Sequence, residues 1–379
     1  MGILNYFIWN ANPEIFSWNF IHLRWYGLLF ALGFIISQQV LYYIYKKEGK
    51  PVSDIDVLTV FMVIATIVGA RLGHVFFYEP AKYLANPIEI LMIQKGGLAS
   101  HGAAVGILFA IWLYSRYDIR FKSFWFSVKR ISRPGQSYLQ VLDRLVIFIA
   151  MTGALIRIGN FINSEIEGEP TGGKNGVLFA HNITERLVYP NSALASVEYA
   201  VGDSISTESE YVPLKILIAF KGGYDENLMR RYMSNQVKNV LASDAYASKY
   251  VHEPIGTPLD YSLINDNGVW TGIIRTQAVL RYPSQLYEAA GYFLVFVLLF
   301  LIWRKYKENT PEGRIFGLFL IILWSLRILF EFVKENQVEF EEGMKLNMGQ
   351  ILSVPLVLVG VFILIRSFSE KAKTIATKE

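Results

Sequence analysis

Seven long apolar runs constrain this chain more than any other feature. They are Trp25–Tyr45, Val57–Tyr78, His101–Tyr114, Leu145–Ile162, Leu286–Trp303, Ile315–Val333 and Met348–Ile365. A bilayer core about 30 Å thick takes roughly 20 mostly apolar residues per helix, and a helix satisfies its own backbone where water cannot. One such run could be a buried core helix of a soluble protein, but seven in one chain speak against it. His101–Tyr114 is the short one, and its Gly/Ala-rich start reads as a broken or re-entrant entry. Composition agrees: 18% of residues are charged and 53% hydrophobic, against about 25% charged in a soluble domain.

Lys and Arg set the orientation of such a bundle, since they accumulate in cytoplasmic loops. One set of loops carries Lys46, Lys47, Lys50, then Arg116, Arg120, Lys122, Lys129, Arg130, Arg133, Arg144, then Arg304, Lys305, Lys307, Arg314, and finally Arg366, Lys371, Lys373, Lys378. The short loops on the other side hold only Arg24, Lys82, Lys95, Lys334 and Lys345. The N-terminus is therefore expected outside and the C-terminus in the cytoplasm. The opening MGILNYFIWNANPEIF lacks a basic leader and a small-residue cleavage site, so it reads as retained. Tyr6 stands where a myristoylation motif requires Ser or Thr. The tail SEKAKTIATKE reads as a frayed terminus.

Residues 171–280 are polar and mixed. "LKILIAF" and "GVWTGIIRT" read as strands, and "ENLMRRYMSNQVKNVLAS" places Leu228, Met229, Tyr232, Val237 and Val240 at helical spacing. The fold class expected is thus an all-α integral membrane protein of about seven transmembrane helices with a small α+β extracytoplasmic insertion. Its divisions are helices 1–4 within 1–170, a head domain at 171–280, and helices 5–7 with a tail at 281–379. No internal repeat supports an inverted-repeat transporter.

Other classes are excluded by composition. A net charge of +4 over 379 residues gives no nucleic-acid footprint. With no cysteine there are no disulfides, thiolate metal sites or cysteine nucleophile, so any thiol in the chemistry belongs to a partner. His22, His74, His181 and His252 lack metal-ligand spacing, and neither a metal nor a cofactor is expected.

Charges inside the spans point to function, because an intramembrane ionisable group is costly and normally faces a partner or a wet cavity. Arg71, Arg157 and Arg327 lie in or beside spans, with polar companions His101, Asn160, Asn163, Glu165, Tyr287, Glu288 and Glu331. Guanidiniums converging in a dry site make a receptor for a phosphate-like anion. Arg327 and Glu331, spaced i, i+4, could instead neutralise each other, whereas Arg157 has no carboxylate at helical spacing. His101 suits a general base or, equally, a histidine packed between helices. "RYPSQLYE" (Arg281–Glu288) reads as an interfacial turn in which Ser284 caps the next helix.

These blocks resemble those of the prolipoprotein diacylglyceryl transferase family. "RIGNFINSEIEGEPT" (Arg157–Thr171) resembles its G-R-x-G-N-F-x-N-x-E-x-x-G signature, and "GGLASHGAAVG" (Gly96–Gly106) its G-G-x-x-x-H-G-G segment. "RYPSQLYE" is similar to its R-H-P-S-Q-L-Y-E. "LRILFEFVKENQ" and "LNMGQILSVPLVLVG" are similar to its R-F-x-x-E-F-x-R and T-M-G-Q-x-L-S-x-P pair. Tyr282 replaces the usual His, Lys334 the usual Arg, and Ala103 and Ile156 usual glycines. The resemblance implies transfer of the diacylglyceryl group of phosphatidylglycerol to the lipobox cysteine of a prolipoprotein signal peptide, with release of glycerol phosphate. It implies a multi-pass enzyme of the bacterial cytoplasmic (inner) membrane, partnered by the lipid bilayer, with its active site near the outer face. Arg157 and Arg327 are then expected to hold the phosphate and His101 to take the thiol proton. Asn160, Asn163, Glu165, Gly168, Glu331, Tyr26, Tyr287 and Glu288 complete the expected lipid site. A transporter of an anionic lipid, or a membrane scaffold whose head binds secreted partners, would account for the charges without covalent chemistry.

Overall fold

A computed structural model describes residues 6–18, 21–92, 96–122, 125–173, 175–189, 191–203, 210–266, 269–335, 341 and 343–376. Lys95 and Lys378, both counted above for orientation, lie outside the described residues. The chain divides into two compact units. One comprises Met1–Phe30, Leu155–Ala290 and Arg327–Gln350; the other comprises Ala31–Ala154, Gly291–Leu326 and Ile351–Glu379.

Six helices are long and apolar enough to cross a membrane: α1 (Trp25–Lys47), α2 (Ser53–Phe77), α5 (Tyr138–Ile162), α9 (Ser284–Tyr306), α10 (Arg314–Phe330, carried on to Val333 by a 3-10 turn) and α11 (Met348–Ala376). The chain is a multi-pass membrane protein. A short α3 (Pro80–Ala85) follows α2, and the third expected span is α4, Ser100–Arg116, with 17 residues. At 1.5 Å per residue α4 is about 26 Å long, at the short end of what a bilayer core takes. Helix α11 runs to Ala376, so most of the tail expected to fray is helical.

In the second unit α2 and α4 pack backbone to backbone. A Cβ on Gly73 would stand 2.7 Å from Gly102 Cα, so neither position has room for a side chain. Small residues four apart on both helices permit this approach. The buried apolar core runs from Leu41, Ile44 and Leu58 through Val141–Ile147 to Leu299, Trp303 and Ile315. It also buries charge. Glu48 takes Arg144 Nη2 at 2.9 Å and Lys50 Nζ at 2.5 Å, and Trp303 Nε1 donates to it at 2.7 Å. Asp143 accepts the amides of Gly313 and Phe316, both at 2.8 Å, and so caps α10. That explains why α5 starts at Tyr138 rather than at the expected Leu145: its polar first turns have dedicated partners. An antiparallel hairpin, β4 (Tyr117–Lys122) with β5 (Trp125–Arg130), follows α4.

The first unit begins with β1 (Phe7–Trp9) and a hairpin of β2 (Glu14–Trp18) and β3 (Ile21–Arg24). β1 lies parallel to β6 (Val177–Phe179). After α6 (His181–Leu187) a five-stranded sheet forms from β7 (Leu194–Val201), β8 (Val212–Phe220), β9 (Val251–His252), β10 (Tyr261–Asp266) and β11 (Val269–Ala278). Its order is β10-β11-β8-β7, with β9 also on β11. β8 alternates strictly, burying Val212, Leu214, Ile216, Ile218 and Phe220, the period-two pattern of a half-buried strand. The helical stretch seen in the sequence is α7 (Glu226–Tyr232), one π-helical segment (Met233–Val237) and α8 (Lys238–Ser243); it lays Met229, Met233, Val237 and Leu241 in the same core as the buried face of β8.

Candidate active site

The signature segment leaves α5 and turns through two left-handed residues that are not glycine, Ser164 (φ 52°) and Ile166 (φ 59°). Such conformations cost about 1–3 kcal/mol each and persist only where the surroundings impose them. Here side chains capture the loop carbonyls one after another. Asn182 Nδ2 donates to Ser164 O at 3.2 Å, Gln285 Nε2 to Glu165 O at 2.8 Å, Ser284 Oγ to Ile166 O at 3.1 Å and Arg281 Nη1 to Gly168 O at 3.1 Å. "RYPSQLYE", read from sequence as an interfacial turn, is thus the clamp on the signature loop. Ser284 does not cap α9: its hydroxyl donates to the loop instead. Gly168 lies against two backbones. A Cβ there would meet Val333 O at 2.6 Å and Tyr282 O at 2.8 Å.

Beneath this loop is Glu167, a buried carboxylate. Tyr250 Oη donates to both its oxygens at 3.0 and 3.1 Å, and Asn182 Nδ2 to one at 2.9 Å. Burial raises the Glu167 carboxyl above its ordinary value, against the pull of Arg281 and these hydrogen bonds.

Beside the clamp runs an ion chain whose members come from three segments. Arg157, near the end of α5, meets Glu288 of α9, Nε to Oε2, at 2.8 Å. The carboxylate that α5 lacks at helical spacing therefore comes from another helix. Lys334 Nζ lies 3.9 Å from Glu288 Oε1 and 3.2 Å from Glu331 Oε1. Arg327 approaches Glu331 only to 3.8 Å, while Asn347 Nδ2 donates to Glu331 Oε2 at 3.1 Å. Among the described residues the chain comprises three cations and two carboxylates. Glu288 and Lys334 are nearly inaccessible, at 3% and 5% side-chain exposure, whereas Arg327 is 33% exposed and Arg157 14%. The two guanidiniums thus stand at the two ends of the network, and both are more exposed than the members between them.

Asn160 and Asn163, both buried, donate to Glu165 at 3.4 and 3.3 Å. Tyr26 packs where Gly159 leaves space: a Cβ on that glycine would touch Tyr26 Cα at 3.0 Å. Tyr26 and Tyr287 are exposed. All these residues belong to the first unit. His101 belongs to the second, where its ring stacks on Tyr78 (centroids 5.8 Å) and meets Phe77 edge-on (5.4 Å). The ring is exposed, and among the described residues it has no hydrogen-bond partner. Arg71 is buried and serves the loop before His101. Its guanidinium donates to the carbonyls of Glu89, Ile90 (2.9 Å), Met92 (3.3 Å), Gly96 (2.5 Å) and Gly97 (3.2 Å).

Sequence reading missed Asn182, Tyr250 and Gln285 as members of the site. Gln285 was within reach, since it stands in a recognisable block; Asn182, 15 residues from Glu167, and Tyr250, 83 residues from it, stand in none.

Comparison with known proteins places the chain among relatives that share its sequence along most of its length. The family described as prolipoprotein diacylglyceryl transferase matches residues 13–366. A phosphatidylglycerol–prolipoprotein diacylglyceryl transferase of Tolumonas auensis is 33% identical over 96% of this chain and 99% of its own length. Proteins of the same name from Chloroherpeton thalassium (30%, covering 98% and 97%) and Porphyromonas gingivalis (31%, 97% and 96%) are also similar.

Proposed function

Because the chain belongs to the prolipoprotein diacylglyceryl transferase family, and so transfers diacylglyceryl from phosphatidylglycerol to prolipoprotein in the first step of lipoprotein maturation, we propose that Arg157 and Arg327 are the groups that hold the departing phosphate. The observation that carries this is the ion chain, whose two end members are guanidiniums and its most exposed groups. The thiol sulfur of the prolipoprotein's lipobox cysteine attacks the glyceryl carbon that bears the phosphate. A C–S bond forms, the C–O bond breaks, and glycerol phosphate leaves with the electron pair. Negative charge grows on that phosphate as the bond breaks, so fixed cations around it stabilise the transition state more than the ground state.

Glu288 and Lys334 hold Arg157 and Glu331 in place rather than touching substrate. Asn160, Asn163 and Glu165 orient the glycerol headgroup, with Tyr26 and Tyr287 along the lipid. His101, exposed and without a described hydrogen bond, takes the thiol proton. Gly168 contributes by letting the loop lie against the backbone at Val333. The arrangement proposed for the whole is seven spans with α4 as the third, the N-terminus outside, the C-terminus in the cytoplasm, and 171–280 as an extracytoplasmic head. The enzyme works at the outer face of the bacterial inner membrane, where both substrates arrive laterally through the bilayer.

The test uses purified protein, phosphatidylglycerol micelles and a peptide with a lipobox cysteine, read by mass spectrometry. The parent is expected to add diacylglyceryl to the peptide, and Arg157→Ala to slow this about 100- to 1,000-fold, the effect of removing one donor to a developing anion. Undiminished transfer by Arg157→Ala would refute the assignment.

A further inference from the structure

A second basic site lies in the unit that holds α4, and it uses none of the residues assigned above. A cavity of about 770 Å³ opens among Arg116, Arg130, Arg133, Arg366 and the loop 131–137. One carboxylate, Glu312, lines it, and Ser137 Oγ donates to that group at 2.8 Å. Among the described residues no carboxylate lies within 4.0 Å of the Arg116, Arg130 or Arg133 guanidinium. Three guanidiniums, those of Arg116, Arg130 and Arg133, against the one lining carboxylate leave the cavity with a surplus of cations.

Its walls are fixed before any ligand arrives. Gln136 is buried, accepting from Tyr114 Oη at 2.5 Å and donating to Asp54 Oδ2 at 2.6 Å. Arg133 donates to Tyr114 O and Tyr117 O and lies over the Tyr114 ring at 4.3 Å. Arg116 lies over Trp112 at 5.1 Å. Preformed walls lower the ordering cost of binding.

Depth in the membrane identifies the ligand. Arg116 ends α4, Arg130 ends β5, Tyr138 begins α5, Glu312 precedes α10, and Arg366 stands three residues before the end of the apolar segment Met348–Ser369. The cavity is therefore built at the ends of spans, where phospholipid phosphates lie. Trp112 and Tyr117, ring centroids 6.0 Å apart, add the aromatic pair common at that depth. Guanidinium forks match phosphate oxygens two at a time. We propose that this cavity binds the phosphate of an anionic phospholipid, using residues other than those of the donor site.

Phosphatidic acid is the probe, because its headgroup is phosphate alone. Retention by the protein in detergent is counted by native mass spectrometry, in an Arg157→Gln background that weakens the donor site. R130Q/R366Q is expected to retain the lipid about twentyfold more weakly, since each cation near an anionic surface is worth roughly a factor of five. Phosphatidylcholine, without net charge, is not retained at this site. Equal retention with and without the Gln pair overturns the proposal. A parallel titration with inorganic phosphate separates the sources. If phosphate binds through Arg130 and Arg366 while no lipid is retained, the cavity serves a free phosphate and the lipid assignment fails. Transferase activity of R130Q/R366Q with Arg157 intact, expected within about twofold of the parent, reports folding. Should that activity be lost, Arg116→Gln replaces the pair, with about fivefold weaker retention supporting the site and unchanged retention refuting it.

Discussion

At the scale of single residues, the ion chain and the buried carboxylate give separate predictions. Lys334 stands between Glu288 and Glu331, and all three are nearly buried. Lys334→Met would leave two carboxylates facing each other without the cation between them. Breaking a buried pair in this way costs about 3–5 kcal/mol. Thermal unfolding in detergent should show a large drop for the single variant and substantial recovery when Glu331→Gln is added; no recovery would mean that Lys334 acts through packing alone. Glu167 predicts a pH effect. Its folded-state carboxyl holds its proton more tightly than in the unfolded chain, chiefly through burial. Stability contributed by such a group is present at low pH and falls as pH rises from the ordinary carboxylate range through the raised folded value. The charges that face it are Arg281 and Glu335, themselves paired at 3.2 Å. Glu167→Gln keeps an oxygen for Tyr250 and Asn182 and removes the titration, so the variant should gain on the parent over the range that begins at the ordinary carboxylate value, about pH 4, and runs upward. A stability difference that stays flat across that range would exclude Glu167 as the group responsible.

At the scale of elements, the α2–α4 contact is the one that tolerates least change. Gly73→Leu puts a side chain where even a Cβ would stand 2.7 Å from Gly102 Cα, so the helices must separate. Overpacking of this kind costs about 1–3 kcal/mol or more, and it moves the helix whose second residue is His101. Transfer should fall at least about tenfold while the protein still enters the membrane. Gly256→Ala, with nothing within 4 Å, should match the parent; equal activity of both variants would show that the contact does not matter. Elements were legible from sequence where one physical cause dominated. Apolar length gave α1, α2, α9, α10 and α11, and alternation gave β8. What stayed hidden depended on partners distant in sequence. The polar first turns of α5 look unsuited to a span until Glu48 and the α10 amides are seen to satisfy them. The same holds for the site. Arg157 and Glu288 stand in recognisable blocks, but the clamp depends on the hydrogen bonds that Asn182 and Tyr250 make to Ser164 and Glu167.

At the scale of the whole molecule, the open question with the largest consequence is whether α4 crosses the bilayer. Six helices have the length and hydropathy to span, and an even count would bring both termini to one side. Counting α4 makes seven and separates them. The Lys/Arg bias favours seven, because Arg116, Arg130 and Arg133 follow α4 whereas Lys82 precedes it. Arg71 offers a reason why a helix of 17 residues suffices. By gathering the carbonyls of Glu89, Ile90, Met92, Gly96 and Gly97 it satisfies non-helical backbone ahead of α4, which chain near the hydrocarbon requires. The absence of cysteine makes the chain a clean host for labelling. Single cysteines at Asn86, Ser132 and Gly256 can be treated in intact cells with a thiol reagent that does not cross the inner membrane. With seven spans, Asn86→Cys and Gly256→Cys label from outside and Ser132→Cys labels only after lysis. If Asn86→Cys and Ser132→Cys label alike, α4 does not cross. Either the outside placement of the N-terminus or that of residues 171–280 would then have to be reversed.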